Sequence, residues 1–185
     1  MADFDWTRYL KFRCTGCGNC CRDTVVCITD ADVRRIVEGT GRSALDFVRF
    51  YTHDEVSMSK SDPLWVKFTA HRAVMGLRST RDRCWFLDNE TNLCTIYEHR
   101  PVTCRDHPFN VTLSDSGAVK KISLSRIVKC PHAWDGHISR RSLRTSQTCN
   151  ERQEEAYIAK VNRWNKFPSA ARTKRAFLEF LGFSV

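Results

Sequence analysis

The chemistry of this chain begins at Cys14, Cys17, Cys20 and Cys21, a C-x2-C-x2-C-C run inside CTGCGNCCRDTVVC. A C-x2-C step brings two thiolates to one metal while the amides between them point at the sulfurs. Two such steps in succession give the ligand spacing of bacterial ferredoxins. Gly16 and Gly18 allow the backbone to turn tightly around something small. The adjacent pair Cys20-Cys21 behaves differently. Neighbouring side chains of an extended or turning segment diverge, so the pair implies two metal positions close together, or one ligand and one bystander. Cys84, Cys94 and Cys104 follow with nine residues between each, and Cys130 stands just before Pro131. The eight together suffice for two four-thiolate sites. Cys27 and Cys149 fall outside the pattern and read as small hydrophobes, the usual role of a lone cysteine.

The surrounding composition supports metal over disulfides. The 185 residues hold 10 cysteines, 11 Phe and 5 Trp, and 42% of them are hydrophobic, enough for a packed core. The opening MADFDWTRYLKF is broken by Asp3, Asp5, Trp6 and Arg8 and contains no signal-peptide core. No apolar run approaches the roughly 20 residues of a membrane helix. The expectation is a cytoplasmic protein with no membrane partner. In a reducing compartment clustered thiols serve metals or catalysis. The formal charge is +9 with thiols counted as neutral. Two four-thiolate sites of about −2 each would lower it to about +5, which weakens the case for a nucleic-acid partner.

The elements that must position these thiols are short. Thr29 or Asp30 caps a helix over ADVRRIVE that ends at Gly39, and Ser43 with Asp46 forms a capping box opening a second helix, SALDFVRFY. Residues 64–128 read as β-rich. LWVKFTAHRAVMGLRS alternates in part, and CWFLD and CTIYE form short strands around the turn NETN. EHRPVTCRDHPF forms a loop with a helical turn between Pro101 and Pro108. FNVTLSDSGAVKKISLSRI forms a hairpin around Asp115-Ser116-Gly117. Residues 148–183 read as a helical hairpin. Its first helix starts at a Thr148/Glu151 capping box and runs to about Trp164. Its second starts near Pro168 or Ser169 and carries Ala176, Phe177, Phe180 and Leu181. The fold class is therefore α+β: a small, irregular, metal-stapled domain over residues 1–147 with short antiparallel strands, and a C-terminal helical hairpin, 148–185, packed on it.

The strings CTGCGNCC, CWFLD and CTIYEHRPVTCRDHPF, with VNRWN and FLEFL near the C-terminus, resemble the YkgJ-type CxxCxxCC cysteine-cluster family, whose domain is described as chelating zinc or iron. The resemblance covers nearly the whole chain. It implies Cys14, Cys17, Cys20, Cys21, Cys84, Cys94, Cys104 and Cys130 as metal ligands. The pattern is also found in flagellin lysine methylases, understood to carry an iron–sulfur cluster. That analogy favours an iron–sulfur cluster, 4Fe-4S, with zinc as the alternative. His107 departs from the family, which often has an aromatic residue there, and reads as a polar variant in preference to an accessory ligand.

Other features are weighed against plain roles. Arg100 and Arg105 flank Cys104 and either offset the charge of a metal centre or stay on the surface, with Glu98 as a carboxylate partner. His132, in Cys-Pro-His, sits behind the ligands or on the surface. Arg140, Arg141, Arg144, Arg152, Lys174 and Arg175 read as a solvated basic face, since no aromatic-interleaved platform accompanies them. Gly39-Thr40-Gly41 lacks the strand before it that a nucleotide loop needs. No nucleophile–base–acid set is evident. Three functions compete: a small iron–sulfur protein, a zinc-stapled interaction module with a protein partner, and a cluster-dependent protein-modifying enzyme resembling the flagellin lysine methylases.

Overall fold

The computed structural model describes residues 5–22, 24–80, 82–125 and 130–184. Asp3 of the N-terminal stretch, Asp23 of the cysteine run, and Arg126 and Ile127 of the expected hairpin lie outside them.

Helix α1, Asp30–Thr40, starts where Thr29 and Asp32 exchange side-chain and backbone hydrogen bonds in a capping box. It passes through Gly39 and ends instead at Gly41, whose φ of 68° is the left-handed conformation that closes helices. Gly39 is kept for a different reason: a Cβ there would sit 2.2 Å from the His99 ring. The Ser43/Asp46 box forms as expected, but α2 is a single turn, Ala44–Phe47. The chain then straightens into β1, Val48–Tyr51. Its β-branched and aromatic residues pair antiparallel with β3, Arg72–Leu77, from Val48 opposite Leu77 to Tyr51 opposite Val74. On the other side β2, Val66–Lys67, pairs with the start of β3, giving the order β1-β3-β2. Residues 26–28 continue that side, since Ile28 N–H donates to Met75 O and Leu77 N–H to Val26 O. The exit of the cysteine loop is thereby stitched to the central strand.

Two small ladders follow. β4, Ser79–Thr80, pairs with β5, Arg83–Cys84. After helix α3, Val102–Asp106, strands β6, Phe109–Leu113, and β7, Val119–Leu124, form the expected hairpin, with an irregularity at Thr112/Leu113. CTIYE is not a strand. Only Cys94 bridges, to Leu87, and Tyr97–His99 is a 3-10 turn that leads into Pro101.

Helix α4, Arg140–Trp164, begins eight residues before the expected start, capped by Ser139 onto Ser142 N–H. Tyr157, Val161 and Trp164 form its buried face. Trp164 packs on Phe177 and Phe180 of α5, Lys174–Phe180, and its indole N–H donates to Lys67 O. The Asn165 side chain accepts from Lys67 N–H and donates to Trp65 O, so its amide pairs with the free edge of β2. One apolar cluster joins α1, the three-stranded sheet, α4 and α5, and it reaches the thiols through Cys84, with Cys21 and Cys94 packed against it. Among the described residues no helix is long and apolar enough to cross a membrane.

Candidate metal centre

The Cys14–Cys21 loop folds around two left-handed glycines, Gly16 at φ 66° and Gly18 at φ 72°. Gly18 is required by close approach as well: a Cβ would stand 2.9 Å from Asn92 O. Asn19–Cys21 is a 3-10 turn, and Gly16 N–H donates to Cys14 Sγ at 3.4 Å. This is the amide-to-sulfur contact that C-x2-C spacing favours.

Three sets of ties bring the distant cysteines to this loop. Residues 10–15 run antiparallel to 131–138. Arg13 and Ala133 exchange backbone hydrogen bonds of 2.9 and 3.2 Å, Gly136 N–H donates to Lys11 O, and Ile138 N–H to Leu10 O. Arg13 also holds Asp135 with both carboxylate oxygens engaged, and Thr15 donates its hydroxyl to Pro131 O. Cys130 is thus carried to Cys14 and Cys17. Next, the bridge between Arg22 and Arg83 sets Cys21 beside Cys84, and the bridge between Leu87 and Cys94 folds the 84–94 segment back on itself. Asp88 closes that turn by accepting from Thr91 N–H and Oγ1. Finally, Asp32, 3% exposed, accepts from Val102 N–H at 3.0 Å and fixes the start of the helix that bears Cys104. The same carboxylate caps α1 and pairs with Arg35 at 2.8 Å.

These ties place all eight expected cysteines on the wall of one cavity of about 310 Å³. Arg100, Arg105 and His107 also line it, and among the described residues no carboxylate does. Cys27 and Cys149 are elsewhere. Cys27 packs on the Met58 sulfur at 3.8 Å, and Cys149 receives a hydrogen bond from Gln153.

The electrostatics are those of crowded thiols. Cys20 and Cys21 sulfurs stand 3.9 Å apart. Their hydrogen bond lowers the pKa of Cys20 and raises that of Cys21. Burial pushes Cys84 up to about 11, and it raises Cys104 and Cys94 as well. Cys130 is pushed up to about 11 by burial and then by Cys17 and Cys14. Arg100 opposes this, favouring the thiolates of Cys20, Cys94 and Cys104. Its guanidinium lies 3.6 Å over the Tyr97 ring and donates to Tyr97 O, so it is held over the cavity and does not pair with Glu98. A bound cation would relieve the remaining repulsion by holding the sulfurs as thiolates.

His107 stands on the cavity wall. Its Nε2 is buried without a hydrogen-bond partner among the described residues, and burial lowers its pKa, favouring the neutral imidazole. His132 stands behind Cys130: its Nδ1 is 2.7 Å from Cys130 O and its ring meets Trp134 edge-on at 4.4 Å.

The donor set fits a soft metal. Thiolates select zinc, copper(I) or iron–sulfur groups, whereas calcium and magnesium require oxygen donors. Among the described residues no three His, Cys, Asp or Glu side chains are drawn together tightly enough to hold one ion. The thiols surround a space.

Such a thiol-walled cavity defines a metal-chelating class of protein. Residues 13–160 match the family model CxxCxxCC, described as a putative zinc- or iron-chelating domain, and the chain belongs to that family. No curated protein and no solved structure matches it. The match supports metal binding by the cysteine cluster.

Proposed function

We propose that this protein holds an iron–sulfur centre through Cys14, Cys17, Cys20, Cys21, Cys84, Cys94, Cys104 and Cys130. The observation that carries this reading is a cavity of about 310 Å³ walled by eight thiols. A lone tetrahedral zinc with 2.3 Å Zn–S bonds needs its four sulfurs about 3.8 Å apart. A polynuclear group spreads them wider. The space is about ten times the roughly 30 Å³ share of one water molecule, which suits a group of several atoms. Arg100 and Arg105 suit the net negative charge of a thiolate-bound cluster. When bound, such a group supplies reversible electron transfer. Around it, Phe12, Phe86, Leu87 and Ile96 restrict water, and Arg100 stabilises the thiolate forms.

The test is metal and acid-labile sulfide on protein purified without oxygen, with a visible spectrum. Iron with matching sulfide and a broad visible absorption supports the proposal. Zinc without sulfide or colour replaces it with a structural role, in which metal staples a region poor in regular secondary structure.

A further inference from the structure

We propose that a second surface, separate from the thiol cavity, binds single-stranded nucleic acid. It consists of an aromatic head built by Trp6, Tyr9 and Trp134, and a basic groove that runs from it along α4.

The groove follows from helix geometry. Arg140, Arg144, Thr148, Arg152, Ala156 and Lys160 recur at every fourth residue of α4, so they form one ridge that winds slowly around the helix. At 1.5 Å per residue the ridge is about 30 Å long. From Arg144 to Lys160 it walls a cavity of about 490 Å³ against Asp30 and Ala31 of α1. Among the described residues Asp30 is the one carboxylate on that wall, and Lys160 holds it. Arg144 and Arg152 are exposed, and among the described residues neither is ion-paired. Thr148 lies between them, one helical turn from each. Two guanidinium forks on either side of a hydroxyl suit phosphate oxygens. Glu151 and Glu155 stand outside the cavity wall, and Glu151 accepts from Gln147.

This basic stretch has no aromatic platform within its own sequence, and the fold brings one to it. Arg140, the first residue of α4, lies 4.9 Å over the ring of Trp6, in the 3-10 segment Trp6–Lys11. Arg8 of the same segment lies 5.2 Å over Tyr9 and 5.8 Å over Trp134. The Tyr9 and Trp134 rings stand 5.8 Å apart. Rings and guanidinia therefore alternate at the head of the groove. The backbone bonds from Gly136 to Lys11 and from Ile138 to Leu10 hold the two segments together. The carboxylates of the head are engaged: Asp5 accepts from Thr7, and Asp135 from Arg13. Trp134 is 42% exposed, whereas Trp164, a core ring, is 2% exposed. Its surface is open to a base.

Stacking rings at one end and a track of cations leading away from them are what a single strand requires. Bases stack on the rings, and phosphates follow the cations. A duplex keeps its base faces covered and cannot use the rings. The positive net charge favours the approach of a polyanion.

The full-length protein is titrated into a fluorescein-labelled oligouridine of about a dozen nucleotides, with anisotropy and intrinsic tryptophan emission as readouts. Binding with quenched tryptophan emission is expected. Neutralisation of about three phosphates, one each by Arg140, Arg144 and Arg152, gives a log–log salt slope of about −2, a roughly twentyfold loss of affinity from about 50 to 200 mM salt. The Arg144→Gln/Arg152→Gln variant should make that slope shallower by about 1.4. Trp134→Ala should weaken binding about tenfold, reduce the quenching and leave the slope unchanged. Three results on the native protein overturn the proposal, and none depends on a variant folding. Absence of binding at about 50 mM salt removes the site. Binding with unchanged tryptophan emission, or tighter binding of a duplex of the same length, removes the stacking head. Polyglutamate bound as tightly as oligouridine assigns the surface to an acidic protein instead.

Discussion

Two halves of this molecule are stabilised by different physics. On one side, α1, the β1-β3-β2 sheet, α4 and α5 enclose Phe47, Trp164, Phe177 and Val161, each 2% exposed or less. Phe50, Phe68 and Phe177 meet edge to face with centroids 5.0–6.1 Å apart. A capping box starts α1, the Ser139 and Thr173 side chains cap α4 and α5, and apolar burial drives the assembly. On the other side, residues 10–22, 83–108 and 130–138 are linked by isolated bridges, 3-10 turns and one five-residue helix, around a cavity. That side packs Phe12, Phe86, Leu87, Ile96 and Val102 around eight thiols that repel one another when ionised. Metal held by those thiols would add to the stability of that side.

Metal removal should separate the halves most sharply. After chelation, amide exchange at Arg13, Asp88 and Thr95 should accelerate about a hundredfold, some 3 kcal/mol of local opening, while β3 and the second half of α4 stay protected. Equal acceleration in both halves would show that they unfold as one unit. Trp164→Ala strikes the other half. It should cost about 3–5 kcal/mol in denaturant unfolding and leave metal stoichiometry unchanged at low temperature. Asp32→Ala cuts the link between them. Losing the α1 cap and leaving Val102 N–H unpaired should cost about 2–4 kcal/mol and, unlike Trp164→Ala, weaken metal retention through Cys104. Gly39→Ala drives a methyl into His99 and should cost about 1–3 kcal/mol, with part of the effect in the turn leading to Arg100.

The smallest effect is at Glu154, whose pKa is raised above 4.5 by burial first and then by Asp62 and Glu151. A carboxyl raised in the folded state favours folding below its unfolded pKa and loses that contribution as pH rises through the folded one. Glu154→Gln should therefore raise the melting temperature by about a degree at pH 7, and the gain should vanish at pH 4. A gain that persists in acid would assign the effect to something other than charge.

The thiol wall was legible in the sequence because a cluster of cysteines separated by Gly, Asn and Arg has few other uses. Elements marked by local chemistry were legible too: the Thr29 and Ser43 caps, the helical turn between Pro101 and Pro108, and the Asp115-Ser116-Gly117 hairpin. Elements set by tertiary contact were not. The first two turns of α4 carry a single buried apolar residue, Leu143, too little for a periodic stripe, so the pattern in the sequence begins only at Thr148. Val48–Tyr51 continues a capped helix in sequence but is drawn straight by β3. CTIYE has strand composition, yet Ile96 is pulled into the core at 3% exposure and the chain then turns toward Pro101. Within the site, Arg100 was ambiguous because nothing local shows that it stacks on Tyr97, and Asp32 reads only as a helix cap until Val102 is placed beside it.

The hydrogen bond from Thr15 to Pro131 joins residues 116 positions apart. A chain made from its N-terminus therefore displays Cys14, Cys17, Cys20 and Cys21 long before Cys130 exists. Closing so long a loop adds little entropy beyond that of a shorter one; the delay is one of order, not of energy. Metal delivered during translation would meet a thiol wall still lacking Cys130.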